Sequence, residues 1–418
     1  MQEKIKDVIE KLDFLSKEKQ IKIISHYDTD GITSATIFSK ALQRWNKSFS
    51  LEIVKNLEKN FIAQLPEDQI LIFLDLGSGL LHYLKEKNTE VIILDHHEIP
   101  PYQLPKNITV INPILHNKEN IATSGICYLF AKTLSEQNKD LANLAVIGMI
   151  GDNLEKHIGK TYESILKDAE VIIKKGLLLY PATRPIDKVL RGSLSFYIPN
   201  VTGSFKGTLE LLKEAGIEKD QRGFKSLAEL TNQEMSNLIT AVMLKTKNNI
   251  ESEIIGNIYL TKFFNRLEDA RELSAVINAC SRMDYPDIAI GLCLGNKTLK
   301  NQAEKIYIKY KRSISSALEQ LSELQQIIGK NYIIINAQDK IKDTIIGTIA
   351  SIMSFSPLYA KGTIIITMAY DENGKIKVSA RVAGRNGRNV REILHKAVIP
   401  ISEEIGGHPN AAGCLISK

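Results

Sequence analysis

The sequence has a single tryptophan, and none of its apolar runs approaches the roughly 20 residues of a membrane span. Its four cysteines, Cys127, Cys280, Cys293 and Cys414, lie far apart with no CxxC spacing. That argues against a zinc ribbon or a disulfide scaffold and suits a reducing cytoplasm, so the chain is expected to be cytoplasmic. There is no internal repeat and no low-complexity stretch. The first residues, MQEKIKDVIEKLDFL, read as an amphipathic helix and not as a secretory signal. With 418 residues, of which 44% are hydrophobic and 24% charged, the chain has the composition of a globular protein of two or three domains. The net charge is only +6, but it is unevenly spread. From Lys330 to Lys418 there are eight Lys and four Arg against three Asp and four Glu. A basic module of this kind points to a polyanionic partner.

Residues 21 to about 155 alternate short apolar runs with helical stretches. The predicted strands are Ile21–Ser25, Leu51–Lys55, Ile70–Leu74, Val91–Leu94 and Ile108–Ile111. The predicted helices are Ser34–Trp45, Gly79–Glu86, Ser124–Ser135 and Leu141–Ile150. Alternation of this kind implies an α/β fold with a doubly wound parallel sheet, in which sites lie beyond the carboxyl ends of the strands. From Tyr162 to Leu292 the pattern is mainly helical, broken at Pro181, Pro185, Pro199 and Gly203. Lys300–Gln326 lacks Gly and Pro and predicts a long linker helix. Beyond it, Tyr332–Asn336, a hairpin of Thr363–Met368 and Lys375–Ala380, and a helix over Val390–Ala397 predict a smaller α/β domain. The expected domains are therefore 1–299, with 160–299 a helical extension, a linker over 300–329, and 330–418.

The run Val91-Ile92-Ile93-Leu94-Asp95-His96-His97 delivers a carboxylate and two imidazoles to the end of a buried-type strand. Neighbouring side chains on a strand face opposite ways, so the two histidines have different jobs. Three other segments share this layout: His26-Tyr27-Asp28-Thr29-Asp30-Gly31, Asp75-Leu76-Gly77 and Gly151-Asp152-Asn153. If the first stays extended, His26, Asp28 and Asp30 face one cavity. Asp75 and Asp152 add carboxylates, and His96 or His97 adds nitrogen. So many carboxylates cannot share a dry cleft without cations. A His/Asp donor set without thiolate suits Mn²⁺, with Mg²⁺ or Zn²⁺ open, and its size accommodates two ions about 3.5–4 Å apart.

These residues resemble the DHH phosphoesterase superfamily, whose name is the triplet Asp95-His96-His97. HYDTDG is similar to its first motif, LDLG to its second and GDN to its fourth. GGHPNAAG, residues 406–413, resembles the signature of the DHH-associated substrate-binding domain. Ile277–Met283 is similar to the LNAAGR segment of RecJ exonucleases, with Cys280 and Ser281 departing from it. In arrangement the chain is similar to the archaeal RecJ-like group, which includes the nuclease associated with the replisomal GINS complex. The resemblance implies one metal held by His26, Asp28 and Asp75, and another held by Asp30, Asp75, His96 and Asp152. It makes Asp95 a group orienting His96, and His97 a histidine that contacts the scissile phosphate. Every ligand position is filled, unlike the Cdc45 replication factors of the same superfamily, which resemble inactivated nucleases.

In the C-terminal domain, Gly406-Gly407 permits close backbone approach to a phosphate and His408 supplies a donor. Upstream, Ser379, Arg381, Arg385, Asn386 and Arg388 add a hydroxyl, an amide and three guanidinium groups, which match phosphate bidentately. Asn278 and Arg282 are candidates to line a groove. Tyr370 is the nearest aromatic for stacking, so the sequence supports backbone gripping more than base reading. The expected function is a two-metal, Mn²⁺- or Mg²⁺-dependent exonuclease that releases mononucleotides from single-stranded DNA or RNA, in replication, repair or RNA processing. Two alternatives come from other classes. One is a small-substrate phosphoesterase acting on short oligonucleotides, cyclic dinucleotides or pyrophosphate. The other is a Cdc45-like component binding GINS.

Overall fold

A computed structural model describes residues 1–99, 104–116, 119–156, 158–193, 198–246, 254–356, 358–385, 388–398 and 405–417. Its contacts divide the chain into two units. The first comprises Met1–Ile186, Glu218–Ile239 and Ile255–Tyr307; the second comprises Asp187–Ile217, Thr240–Ile254 and Ile308–Lys418.

The first unit opens with helix α1 (Gln2–Leu15), then β1 (Ile21–His26), α2 (Thr29–Arg44), β2 (Phe49–Val54), α3 (Lys59–Gln64), β3 (Ile70–Leu74), α4 (Leu81–Leu84), β4 (Val91–Leu94) and β5 (Ile108–Ile111). The five strands form one sheet in the order β2-β1-β3-β4-β5, and every pairing is parallel. This is the doubly wound sheet expected from the sequence, and its order reverses beside β1, where such sheets carry their sites. Strand residues are shared alternately between two cores. Ile23, Ile72 and Ile92 join one cluster with α1 and α2, while Ile24, Phe73 and Ile93 join another with Ile62 of α3 and Leu84 of α4. Burial on both faces explains why β3 and β4 read as unbroken apolar runs.

After α5 (Pro113–His116) come α6 (Thr123–Leu134), α7 (Ala142–Gly151) and α8 (Lys160–Asp168), with α6 and α7 both packed on α2. The stretch expected to be mainly helical also holds a three-stranded antiparallel sheet of β6 (Ile172–Leu177), β7 (Ile255–Phe263) and β8 (Arg266–Asp269). Its helices are α9 (Ile186–Arg191), α10 (Phe205–Glu214), α11 (Asn232–Lys245), α12 (Ala270–Arg282) and α13 (Pro286–Cys293). The long helix α14 runs over Lys297–Gln320, starting three residues before the predicted linker and ending six residues earlier.

The second unit carries β9 (Gln326–Ile328), β10 (Tyr332–Asn336), α15 (Asp343–Ser354), β11 (Ile364–Tyr370), β12 (Ile376–Val382), α16 (Val390–Val398), β13 (Ile405–His408) and β14 (Ala411–Ile416). Its six strands order as β13-β14-β12-β11-β10-β9, parallel only between β10 and β11. Val378, Ala380 and Val382 of β12 pack with Val390 and Leu394 of α16, which leaves Ser379 and Arg381 on the opposite face.

Candidate metal centre

The site is built at the carboxyl ends of β1, β3 and β4. β1 ends in His26, and Asp28 then caps α2, its side chain accepting from the Gly31 amide at 3.0 Å. The segment therefore does not stay extended, as the spacing argument required. It turns into helix at Thr29, and Asp30 enters the cleft from the first helical turn. Gly31 makes the turn possible, because a Cβ there would sit 2.1 Å from the His26 carbonyl oxygen. Ser25 ties the ends together, its hydroxyl donating to Gly31 O at 2.8 Å and Leu74 O at 3.3 Å. Asp75 follows β3 in the left-handed region at φ 61°, a conformation uncommon for a non-glycine residue. Such outliers persist where surrounding structure overrides their cost.

Three overlapping clusters share Asp75: His26–Asp28–Asp75, Asp30–Asp75–His96–Asp152 and Asp75–His96–His97. In the first, His26 Nδ1 lies 3.1 Å from Asp28 Oδ2 and 3.4 Å from Asp75 Oδ2. In the second, His96 Nε2 lies 2.9 Å from Asp152 Oδ2, 3.5 Å from Asp75 Oδ1 and 4.0 Å from Asp30 Oδ2. Within each cluster the potential ligand atoms all lie within 4.8 Å of one another. All six residues named from the sequence are thus brought together.

The donor set fits divalent cations. His26 Nδ1 is buried, makes no hydrogen bond and faces two carboxylate oxygens. Asp152 caps the C-terminus of α7, a helix with no basic residue in its last turn, so the helix dipole opposes its charge. Burial, reinforced by Asp75 and Asp152, raises the Asp30 pKa well above the carboxylate range. Burial raises Asp152 too. Burial opposes charge on His26 and His96, but the facing carboxylates win and raise both well above the usual imidazole value. Asp75, despite burial, is held well below the carboxylate range by the His26 and His96 imidazoles that face its two oxygens. Cations in place of those protons resolve the same crowding.

Asp95 departs from its expected role. Its carboxylate accepts a hydrogen bond from His97 Nδ1 at 2.8 Å, with further bonds from the amides of His96 at 2.8 Å, His97 at 3.2 Å and Ser78 at 3.1 Å. It therefore orients the His97 ring and not that of His96. Burial opposes ionisation of both groups, yet the pairing holds Asp95 down at about 2 and pushes His97 up to about 9.

Sequence reasoning missed the residues that hold these ligands. The Thr123 and Ser124 amides donate to Asp30 Oδ2 and Oδ1 at 2.7 and 3.0 Å, and the Thr123 hydroxyl donates to Asp75 Oδ1 at 3.2 Å. Gly148 gives Asp30 room, since a Cβ there would come within 2.6 Å of Asp30 Oδ1. The signals were present: Thr123-Ser124-Gly125 opens a helix, and Gly148 lies one turn before Asp152.

Arg282, on α12, has its Nε on Asn278 Oδ1 at 3.1 Å and its guanidinium 5.8 Å from the centre of the Tyr27 ring. Both groove candidates thus lie next to the turn that bears His26 and Asp28.

In the second unit, Arg381 is half-buried; Nε donates to Ser351 Oγ of α15 at 2.9 Å and Nη1 to Ala380 O at 2.9 Å. Ser379 Oγ faces Gly347 of α15, at 3.1 Å from where a Cβ would stand. Arg388 lies beside Asn331, whose amide oxygen can accept from it at 3.2 Å. Gly406 opens to space, and Gly407 at φ 119° would drive a Cβ to 2.3 Å from Ala411 O. Strand register aligns Arg381, Ala411 and His408 in one row across β12, β14 and β13. The side chains of Arg385 and His408, and all of Asn386, lie outside the described residues.

The sequence matches the DHH family, N-terminal domain, over residues 20–149 and the DHHA1 domain over residues 329–418. An uncharacterized protein of Methanocaldococcus jannaschii is 28% identical, covering 100% of this chain and 95% of that protein. RecJ of Thermus thermophilus, a single-stranded-DNA-specific exonuclease, is 28% identical over 155 residues, 33% of this chain and 23% of its own length. The crystal structure of that RecJ in complex with Mn²⁺ aligns with a TM-score of 0.58 at 18% identity, over 100% of this chain and 52% of that one. Cdc45 from Entamoeba histolytica aligns with a TM-score of 0.66 at 14% identity, over 99% of this chain and 96% of that one. At such identities the structural likenesses establish the fold. With a DHH domain at one end and a DHHA1 domain at the other, the chain belongs to the DHH superfamily and is RecJ-like.

Proposed function

We propose that the chain is a two-metal-dependent exonuclease that hydrolyses terminal phosphodiester bonds of single-stranded DNA or RNA and releases mononucleotides. One observation carries this reading: Asp75 offers Oδ2 to the His26–Asp28 cluster and Oδ1 to the Asp30–His96–Asp152 cluster. A carboxylate shared in this way suits paired ions, which supply charge neutralisation and an activated water for in-line displacement. Mn²⁺ is the favoured ion for this His/Asp set and Mg²⁺ the next.

The chain's own groups do the rest. Asp95 fixes the His97 ring through Nδ1, so that His97 contacts the scissile phosphate or passes a proton. Arg282, held by Asn278, binds a phosphate oxygen near the turn bearing His26 and Asp28. In the second unit, Ser379, Arg381, Arg385, Arg388 and the Gly406–His408 segment grip the phosphate backbone. A place in replication or repair, in the cytoplasm, goes with the same reading.

Asp75→Ala is the test. On end-labelled single-stranded DNA and RNA it should cut metal-dependent mononucleotide release by more than the roughly 10–100-fold typical of an outer-shell change, with circular dichroism unchanged. Retained release overturns the assignment. A length series of oligonucleotides tests the small-substrate alternative, which requires activity confined to the shortest. The full-length likeness in fold to Cdc45 favours one second reading, a component that binds GINS with hydrolysis incidental. A GINS pull-down with Asp75→Ala as control tests it.

A further inference from the structure

One element, the N-terminus of α6, holds two of the four ligands in the second cluster. Its N-cap, Ala122, has no side-chain oxygen to satisfy the first amides of the helix. Asp30, 93 residues away in sequence, takes that place, with Oδ2 on the Thr123 amide and Oδ1 on the Ser124 amide. The same Thr123 donates its hydroxyl to Asp75 Oδ1 at 3.2 Å. That oxygen faces His96, whereas Oδ2 of the same carboxylate faces His26. Among the described residues, no hydrogen bond runs from α6 to His26 or Asp28. Thr123, Ser124 and Asp30 are fully buried, so solvent does not replace these bonds.

We propose that Thr123 is a positioning residue that sets the occupancy of the second ion site, by fixing through its hydroxyl which oxygen of Asp75 that site receives. This rests on the two-ion reading above. Among the described residues, the Thr123 hydroxyl is the one side-chain group of α6 that bonds these ligands, the Asp30 bonds being from backbone amides. It holds the Asp75 carboxylate at the rotation that divides its oxygens between the clusters. Without it, the carboxylate is free to turn toward His26, and the second cluster loses a ligand while the first does not.

Mn²⁺ binding to the full chain, by titration calorimetry and electron paramagnetic resonance, is the experiment. Wild type is expected to bind two ions. Thr123→Val should bind the first with near wild-type affinity and the second on the order of 10–100-fold more weakly, losing the signal of paired Mn²⁺. Thr123→Ser keeps the hydroxyl and should restore both. Should the valine variant not fold, Thr123→Ala removes the same hydroxyl and is read in the same way. Two ions bound as in wild type by the hydroxyl-free variants overturn the proposal. Equal weakening of both ions also overturns it, because the claim is selective. A wild type that binds a single ion instead overturns the two-ion reading. Thr123 then stands if its loss weakens that ion and Thr123→Ser does not, and falls otherwise.

Discussion

Asp95 and His97 are two residues apart at the end of a strand, and side chains two apart share a face. The Asp95 amide still pairs with Ile111 O, so the strand geometry extends to this point, and among the described side-chain contacts the carboxylate bonds the His97 ring, meeting His96 at its backbone amide. Alternation along the strand already held this answer. The resemblance led elsewhere by joining Asp95 to its immediate neighbour. The consequence is specific. Asp95→Asn keeps the shape and still accepts from the backbone amides, but it loses the charge that fixes the His97 ring. Turnover should fall about 10–100-fold, as for other outer-shell partners, while the number and affinity of bound Mn²⁺ stay as in wild type. Loss of an ion in a calorimetric titration of this variant would return Asp95 to the support of His96.

At the scale of elements, the strands were the most legible part. Ile70–Leu74, Val91–Leu94 and Ile108–Ile111 match their predicted spans residue for residue, because each is a short run of apolar and β-branched side chains bounded by polar turns. Helix α2 was harder. Periodicity begins at Ser34, but the helix starts five residues earlier, because the Asp28 cap and Gly31 allow the turn to close directly after β1. Local propensity says little about such a start, since the close approach of Gly31 to His26 O is a tertiary fact. The same holds where α7 meets α2 and α6. A Cβ on Gly148 would lie 2.2 Å from Ser124 Oγ and 2.6 Å from both Asp30 Oδ1 and Thr33 Oγ1. Gly148→Ala should therefore cost about 1–3 kcal/mol of stability through overpacking and push Asp30 off the α6 amides. Chemical denaturation reads the first effect and Mn²⁺ titration the second. A variant as stable as wild type with both ions bound would mean that α7 yields where the packing says it cannot.

At the scale of the molecule, charge and chemistry are segregated along the chain. All six candidate ligands belong to the first unit, whereas the basic excess belongs to the C-terminal stretch of the second. The sequence made both parts visible, one through acidic strand ends and the other through its arginines. It did not make visible the sheet β6-β7-β8, whose first strand, IIKKGL, leaves Ile172 and Ile173 exposed and so breaks the alternation that marks a half-buried strand. The acidic concentration also has an energetic consequence. Asp30, Asp75 and Asp152 converge with Asp28 in one partly buried place, and crowding of this kind is relieved by cations or by protons. Cations held by this arrangement, as proposed, would have no comparable site in the unfolded chain. By mass action, Mn²⁺ at 100 times its dissociation constant adds about 2.7 kcal/mol to stability. For a unit the size of the first one that corresponds to a rise in melting temperature of roughly 5 °C. Chelation with EDTA should reverse it, and Asp75→Ala should abolish most of it, because that one side chain serves every cluster. A melting temperature indifferent to Mn²⁺ in the wild-type protein would mean that the clustered carboxylates are reconciled by protons alone.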